Sequence, residues 1–260
     1  MSGQYTNELA TYIFVIALPQ RPVACHELVF VYKLKFSLPP GENGAGMVAS
    51  DVVLWEVDTQ EDFMRPGGKL YVPGAEKLLP KIKKLTDAAR RGRAFLVSHG
   101  CYHAPDDPEF QTFPPHCVKG TPGSEHVAEA MTDSVLRVPN EAGALPADFG
   151  QSKQILLEKQ TLDIFETRHA HTLVERLPHE AEFLVFGVVT EYCVRLAAKG
   201  LLARGRKVSV IEDAIETLNP EEGRRTLAEL QNLGAKLITT EQALTRLHSN
   251  LPVNPPENEP

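Results

Sequence analysis

Phe183-Leu184-Val185-Phe186-Gly187-Val188-Val189-Thr190-Glu191-Tyr192-Cys193-Val194 contains the change of pattern that decides the fold. Its first four residues form an unbroken apolar run, the mark of a short strand buried on both faces. Past the turn, Val194, Ala197, Ala198 and Leu201 recur at helical spacing and share one face. Cys193 therefore falls at a strand-to-helix turn, in or near the first turn of the helix. A helix N-terminus offers unpaired N–H groups and partial positive charge, which favour a thiolate and can receive an oxyanion. A free cysteine is also commonly a small apolar core residue, so position alone leaves a nucleophile and a packing residue both open.

The same alternation extends outward in both directions. Strand patterns occupy residues 51–58, 94–98, 134–138, 154–159, 207–211 and 235–239. Helical patterns occupy 73–91 and 166–177, and a third runs from Pro220 with Leu227, Leu230 and Leu233 inward and Gly234 as its stop. Such alternation predicts an α/β fold, a three-layer α/β/α sandwich around a mainly parallel sheet of about six strands. Sites in such sheets lie at the carboxyl ends of the strands.

The 260 residues suffice for one large core, and 42% hydrophobic with 23% charged content is globular. A net charge of −7 argues against nucleic acid or an anionic membrane as the main partner. Four scattered cysteines, Cys25, Cys101, Cys117 and Cys193, suit a reduced, cytoplasmic compartment, and no apolar run is long enough to span a bilayer. Residues 1–48, ending near the linker Pro39-Pro40-Gly41-Glu42-Asn43-Gly44, read as an extension outside the catalytic fold. The domain is expected over 49–248, and 249–260, rich in Pro, Asn and Glu, reads as a disordered tail.

Three strands end on chemistry. Asp58 ends the first, Lys159 the fourth, and Cys193 follows the fifth, placing a carboxylate, an ammonium and a thiol on one sheet edge. A charged residue at a strand end is usually just the first solvated position. Together the three supply a base, an electrostatic partner and a nucleophile. After the second strand comes a segment dense in His, Cys and acids, in which Cys101, His103, Glu109 and His116 are candidate ligands for a divalent metal. Its alternative is a polar loop with surface histidines. The remaining histidines, His99, His126, His169, His171, His179 and His248, read as surface or helix residues, and Cys117 as packing. Asp62 and Asp163 read as holding nearby backbone, and Lys81, Lys83, Lys84, Arg90, Arg91 and Arg93 as a solvated basic face.

Four motifs resemble those of the nicotinamidase/isochorismatase-like cysteine hydrolases, and the nicotinamidase (pyrazinamidase) branch most closely. Asp58-Thr59-Gln60-Glu61-Asp62-Phe63 resembles D-x-Q-x-D-F. Phe113-Pro114-Pro115-His116-Cys117-Val118-Lys119-Gly120-Thr121-Pro122-Gly123 resembles W/F-P-x-H-C-x-x-G-T-x-G. Residues 158–165 resemble E-K-x-x-x-D-x-F, and residues 187–194 resemble G-x-x-T-D-x-C-V. The resemblance implies a catalytic triad of Asp58, Lys159 and Cys193, and a cis peptide at Val188-Val189. It implies an oxyanion hole from the N–H groups of Val189 and Cys193. Phe63, Phe113 and Val188 would wall the substrate pocket, and His103, His116 and Glu109 would ligate one metal ion.

At Cys101 the family usually has Asp; a thiolate there favours zinc over manganese or iron if it ligates. The function implied is amide hydrolysis through a thioester on Cys193, with nicotinamide as the leading substrate and nicotinate and ammonia as products within NAD salvage. Another small amide or ureido substrate, or a non-catalytic binding protein of the same fold, are the alternatives. The implied partner is a small-molecule amide, with no nucleic acid and no membrane. Self-association as a homo-oligomer is left open by the sequence.

Overall fold

Among the described residues seven parallel strands form one sheet, in the order β3-β4-β2-β1-β5-β6-β7. The computed structural model describes residues 50–249. The extension expected over 1–48 therefore lies outside the described residues, as does the expected tail except Ser249, which closes the last helix. In chain order the elements are β1 (Val52–Val57), α1 (Glu61–Met64), α2 (Leu79–Arg90), β2 (Phe95–Cys101), β3 (Val135–Val138) and β4 (Gln154–Lys159). They continue with α3 (Ala170–Arg176), β5 (Glu182–Val188), α4 (Arg195–Ala203), β6 (Lys207–Glu216), α5 (Pro220–Asn232), β7 (Lys236–Ile238) and α6 (Thr240–Ser249). One strand beyond the expected six completes the sheet.

The strands are parallel because each is followed by helical or coil crossovers that return the chain to the starting edge. β1, β2 and β4 are buried along their whole length, so their apolar residues fall on both faces. One apolar cluster gathers Trp55, Val97, Phe183 and Val185 with α3 and α4. The other gathers Leu54, Leu96, Leu184 and Phe186 with α2 and α6. These are the two helix layers expected on either side of the sheet.

Differences from the sequence reading have local causes. β2 runs on through Ser98, His99 and Gly100 to Cys101, so these residues are strand rather than loop. The helical pattern over 73–91 begins as a 3-10 turn, Ala75–Leu78, before α2. The one over 166–177 shortens to α3. α5 starts where Asn219 accepts from the N–H groups of Glu221 and Glu222 and Pro220 takes the first turn. Its buried stripe is Gly223, Thr226 and Leu230, and the helix ends at Asn232 before another turn is complete. Leu233 is therefore exposed rather than inward, at 51% accessibility. α6 carries a buried Ala243 and Leu247 and was not anticipated.

At the end of β5 the chain needs a glycine. Gly187 has φ +118°, and a Cβ there would sit 2.0 Å from the Val57 carbonyl oxygen of the neighbouring strand. This close approach brings β5 against β1 just where both strands deliver their polar ends.

Candidate active site

Four adjacent strands, β4-β2-β1-β5, each deliver one polar residue to the same edge: Lys159, Cys101, Asp58 and Cys193. Cys101 pairs with Lys159 in the register of β2 and β4, while Val57 pairs with His99 on one side and Gly187 on the other. Residues more than 130 positions apart in sequence thus meet through the strand order alone.

Lys159 is the centre of this cluster. Its Nζ lies 3.0 Å from Asp58 Oδ2, 3.0 Å from Cys101 Sγ, 3.1 Å from the Thr161 carbonyl and 3.6 Å from Cys193 Sγ. Its side chain is wholly buried and Asp58's nearly so, and Cys193 is buried as well, with 7% of the residue exposed. Burial acts to raise the Asp58 pKa, but Lys159, His99 and a hydrogen bond with Cys193 outweigh it and hold the carboxyl well below its usual range. Burial, reinforced by the negative charge of Asp58, pushes the Cys193 thiol well up despite Lys159. For Lys159, burial opposes the charge, yet Asp58 and the two sulfurs raise its pKa well above the ordinary lysine value. The resting cluster is therefore thiol, carboxylate and ammonium. The helix N-terminus that favours a thiolate does not by itself overcome this burial, so a base must take the proton.

Cys193 sits in a wide helical turn, Thr190–Val194, that feeds directly into α4. The peptide joining Val188 and Val189 is cis, as the resemblance implied. Val188 is fully buried within the core, so its side chain packs there, and Val189 is the neighbour nearer the surface. Thr190 Oγ1 donates to the Glu216 carbonyl, and Glu191 accepts from Thr217 Oγ1 and the N–H groups of Leu218 and Asn219. These bonds tie the nucleophile turn to the end of β6.

Two clamps fix the opposite side. Gln60 donates to the carbonyls of Cys101 and Ser124 and accepts from the Cys101 N–H at 2.7 Å. Asp62 accepts from the N–H groups of Lys69 and Cys117, and Asp163 from that of Phe165, so both hold backbone as expected. Beneath the edge, Glu56 accepts from Ser98 Oγ at 2.6 Å, from His126 Nδ1 at 2.9 Å and from Thr59 Oγ1. Gln154 Nε2 in turn donates to Ser98 Oγ at 2.7 Å. These residues are all buried, and the network joins β1, β2 and β4 through polar contacts that leave only His126 Nε2 among its ring nitrogens without a partner.

The metal-ligand candidates converge as well. Cys101, His103 and His116 place ligand atoms within 4.8 Å of one another. Glu109 Oε1 lies 4.0 Å from His103 Nε2 and 3.9 Å from His116 Nε2. His103 Nδ1 faces Asp107 Oδ2 at 3.0 Å, and His116 Nδ1 faces the Pro114 carbonyl at 2.8 Å. With both Nδ1 atoms donating, each Nε2 is left with its lone pair, and His103 Nε2 is buried with no hydrogen-bond partner. Imidazoles oriented by a carboxylate or a carbonyl, with Nε2 turned to one point, fit a divalent metal. Cys101 Sγ borders both groups, through Lys159 on one side and the histidines on the other.

Aromatic rings stand around this point. Phe63 lies 5.3 Å from the His116 ring, Phe113 lies 6.4 Å from it, and Phe110 lies 5.4 Å from His103. Tyr192 meets Phe113 edge-on at 6.4 Å and is exposed. Phe63 and Phe113 were anticipated; Phe110 and Tyr192 were not, although both are aromatic neighbours in sequence of site residues, Glu109 and Cys193. His99, His126 and His169 are buried rather than on the surface, because strand, loop and helix packing enclose them. Cys117 is buried packing, as expected, with Sγ 3.8 Å from the Gly123 carbonyl. The basic cluster is largely solvated, although Arg90 reaches the carbonyls of Ala128 and Met131.

The Isochorismatase domain model matches residues 139–242, a span that contains Lys159 and Cys193 but begins after Asp58. A nicotinamidase of Escherichia coli is 28% identical over 207 residues, 70% of this chain and 92% of that protein. A nicotinamidase of Saccharomyces cerevisiae is 27% identical over 188 residues, 60% of this chain and 84% of that protein. The crystal structure of Pyrococcus horikoshii pyrazinamidase in complex with zinc superposes with a TM-score of 0.59 at 28% identity, covering 73% of this chain and 99% of that one. In fold and in the arrangement of its site the chain is similar to the isochorismatase-like hydrolases. Nicotinamidases and pyrazinamidases are among the proteins it resembles. Among the described residues no helix is long and apolar enough to cross a membrane.

Proposed function

We propose that the chain is an amidohydrolase, and specifically a nicotinamidase that converts nicotinamide and water to nicotinate and ammonia. The observation that carries this reading is the convergence of the Cys193 thiol, the Lys159 ammonium and the Asp58 carboxylate beside a ring of aromatic residues and two Nε2-directed histidines. Hydrolysis of an amide C–N bond is the reaction class of the relatives' names, and the site has the groups it needs.

In the proposed reaction Asp58 takes the Cys193 proton as sulfur attacks the carboxamide carbon, since the resting thiol is a poor nucleophile. Lys159 stabilises the thiolate as it forms. The N–H groups of Val189 and Cys193 are assigned to the oxyanion; one such donor is typically worth about 10²–10³ in rate. The C–N bond breaks with Asp58 returning its proton to nitrogen, which leaves as ammonia. Water then cleaves the thioester, releasing the acid and restoring the thiol. Phe63, Phe113 and the neighbouring rings suit a flat aromatic substrate. A divalent metal, zinc by the donor set, would be held by His103, His116 and Glu109 with Cys101 beside them. When bound it supplies a Lewis acid able to take an uncharged ring nitrogen.

A second reading, another small amide or ureido compound on the same triad, is favoured by one feature: Cys101, at the usual carboxylate position, contacts Lys159 at 3.0 Å. Ammonia release from nicotinamide by the purified protein, measured with and without a chelator and against Cys193→Ala, tests both. Release that requires Cys193 and falls on chelation supports nicotinamidase. No release from nicotinamide, with release from other small amides, moves the assignment to the second reading; no release from any amide favours a binding protein.

A further inference from the structure

One group in contact with the catalytic cluster has no role in the mechanism above. His99 lies near the end of β2, opposite Val57, and its ring is completely buried, edge-on to Trp55 at 6.0 Å. Its carbonyl accepts the Asp58 N–H at 2.9 Å. Its Nδ1 lies 3.5 Å from Asp58 Oδ1, a long approach, and neither ring nitrogen has a hydrogen-bond partner of ordinary geometry. Asp58 itself has a left-handed backbone, φ +50°, so its side chain is aimed by these contacts rather than by a regular strand.

The two carboxylate oxygens thus have different neighbours. Oδ2 faces the Lys159 ammonium at 3.0 Å and Oδ1 faces the His99 ring. A buried imidazole N–H left without an acceptor is costly, and Asp58 Oδ1 is the acceptor that Nδ1 faces. The Nδ1–H tautomer of the neutral ring donates from Nδ1 as the cation does, so the argument depends on the tautomer and not on the charge of His99. The charged groups near the ring are Asp58, Lys159 and Glu56.

We propose that His99 is a positioning residue for the general base: its Nδ1–H is directed at Asp58 Oδ1 and, with Lys159 on Oδ2, fixes the plane of the carboxylate relative to the Cys193 thiol. The inference rests on Asp58 serving as the base. Loss of the donor frees the carboxylate to rotate about its terminal torsion, which is soft. Misplacement of a reacting group by about 1 Å can cost on the order of a hundredfold in rate. The loss falls on proton removal from Cys193, hence on kcat, and leaves substrate contacts and KM unchanged.

The test compares His99→Asn, which keeps an N–H donor near the Nδ1 position, with His99→Leu, which removes it. His99→Leu should lower kcat by about tenfold to a hundredfold with KM within about twofold, while His99→Asn stays within about threefold of the parent. Alkylation of Cys193 by iodoacetamide, mapped by mass spectrometry, should slow in His99→Leu in the same proportion. In the unmodified protein, ¹⁵N-histidine NMR should show His99 protonated at Nδ1. Wild-type kcat in His99→Leu, equal losses in both variants, or a proton only on Nε2 overturns the proposal. Should neither variant fold, the NMR tautomer decides. If nicotinamide is not a substrate, the function reading fails while alkylation and NMR still judge His99.

Discussion

Replacing Lys159 by methionine removes the one ammonium that faces the buried Asp58 carboxylate while keeping most of the side-chain volume. The pair is separated by 3.0 Å, with side chains 0% and 2% exposed. Coulomb's law at an effective dielectric of 20 gives an attraction of about 5–6 kcal/mol at that separation. Removing one partner of a buried pair typically destabilises by about 3–5 kcal/mol, because the other charge stays buried without compensation. For a domain of this size each kcal/mol moves the melting temperature by about 2–4 °C, so Lys159→Met should melt about 6–20 °C below the parent at neutral pH. The pH dependence carries the sign. In the parent, Asp58 has a folded pKa below its unfolded value, so its contribution is present above the unfolded pKa of 3.8 and is lost as pH falls through the folded one. In Lys159→Met the ammonium that depresses this pKa is gone, and burial, the largest influence, is opposed only by His99 and Cys193. Asp58 then protonates more easily in the fold, and the gap between parent and variant narrows as pH is lowered from 7 toward 5. Melting curves by circular dichroism across that range measure both effects. A variant that melts within 1–2 °C of the parent at neutral pH, or a gap that widens on acidification, refutes the account of the buried pair.

Cys193→Ala should release no ammonia above background from nicotinamide while shifting the melting temperature by no more than a few degrees, read by an ammonia assay and circular dichroism. Glu191→Ala removes the acceptor of three hydrogen bonds from Thr217, Leu218 and Asn219 and should cost about 1–3 kcal/mol, with faster amide hydrogen exchange confined to residues 217–219 and the Cys193 turn. Asp107→Asn replaces the carboxylate behind His103 and should weaken zinc affinity about tenfold to a hundredfold, measured by competition with a chromophoric chelator; unchanged affinity removes His103 from the ligand set. Glu56→Leu strips the common acceptor from Thr59, Ser98 and His126 and should lower stability by about 2–5 kcal/mol in denaturant melts, since three buried donors lose their partner together.

The sequence by itself determined the layer architecture and the identity of the cluster. Apolar runs such as Phe183–Phe186 can be satisfied only inside a sheet covered on both faces, and the intervening helical stripes of Leu79, Ile82 and Leu85 or Ala197, Ala198 and Leu201 supply the covers. Polar residues that end such strands must come out at the sheet's edge, so Asp58, Lys159 and Cys193 were legible as one site before their distances were known. Pro220 was likewise legible as a helix start, because a proline fixes its own φ for a first turn, whereas the Asn219 cap was seen only in the structure.

What tertiary structure alone decided are the contacts whose partners are remote along the chain. The order β4-β2-β1-β5 put Cys101 beside Lys159 and made one ammonium serve two sulfurs and a carboxylate. That shared burial, and not the helix terminus seen in sequence, sets Cys193 as a thiol at rest. His99, His126 and His169 carry no local sign of burial, since a histidine in a strand or loop is enclosed only by what the rest of the chain lays over it. Leu233 errs in the opposite sense: its spacing from Leu230 is helical, but α5 ends at Asn232 and the buried stripe ends with Leu230. Periodicity reports what one segment repeats with itself, whereas the protonation and aim of a catalytic group depend on charges and walls that other segments bring to it.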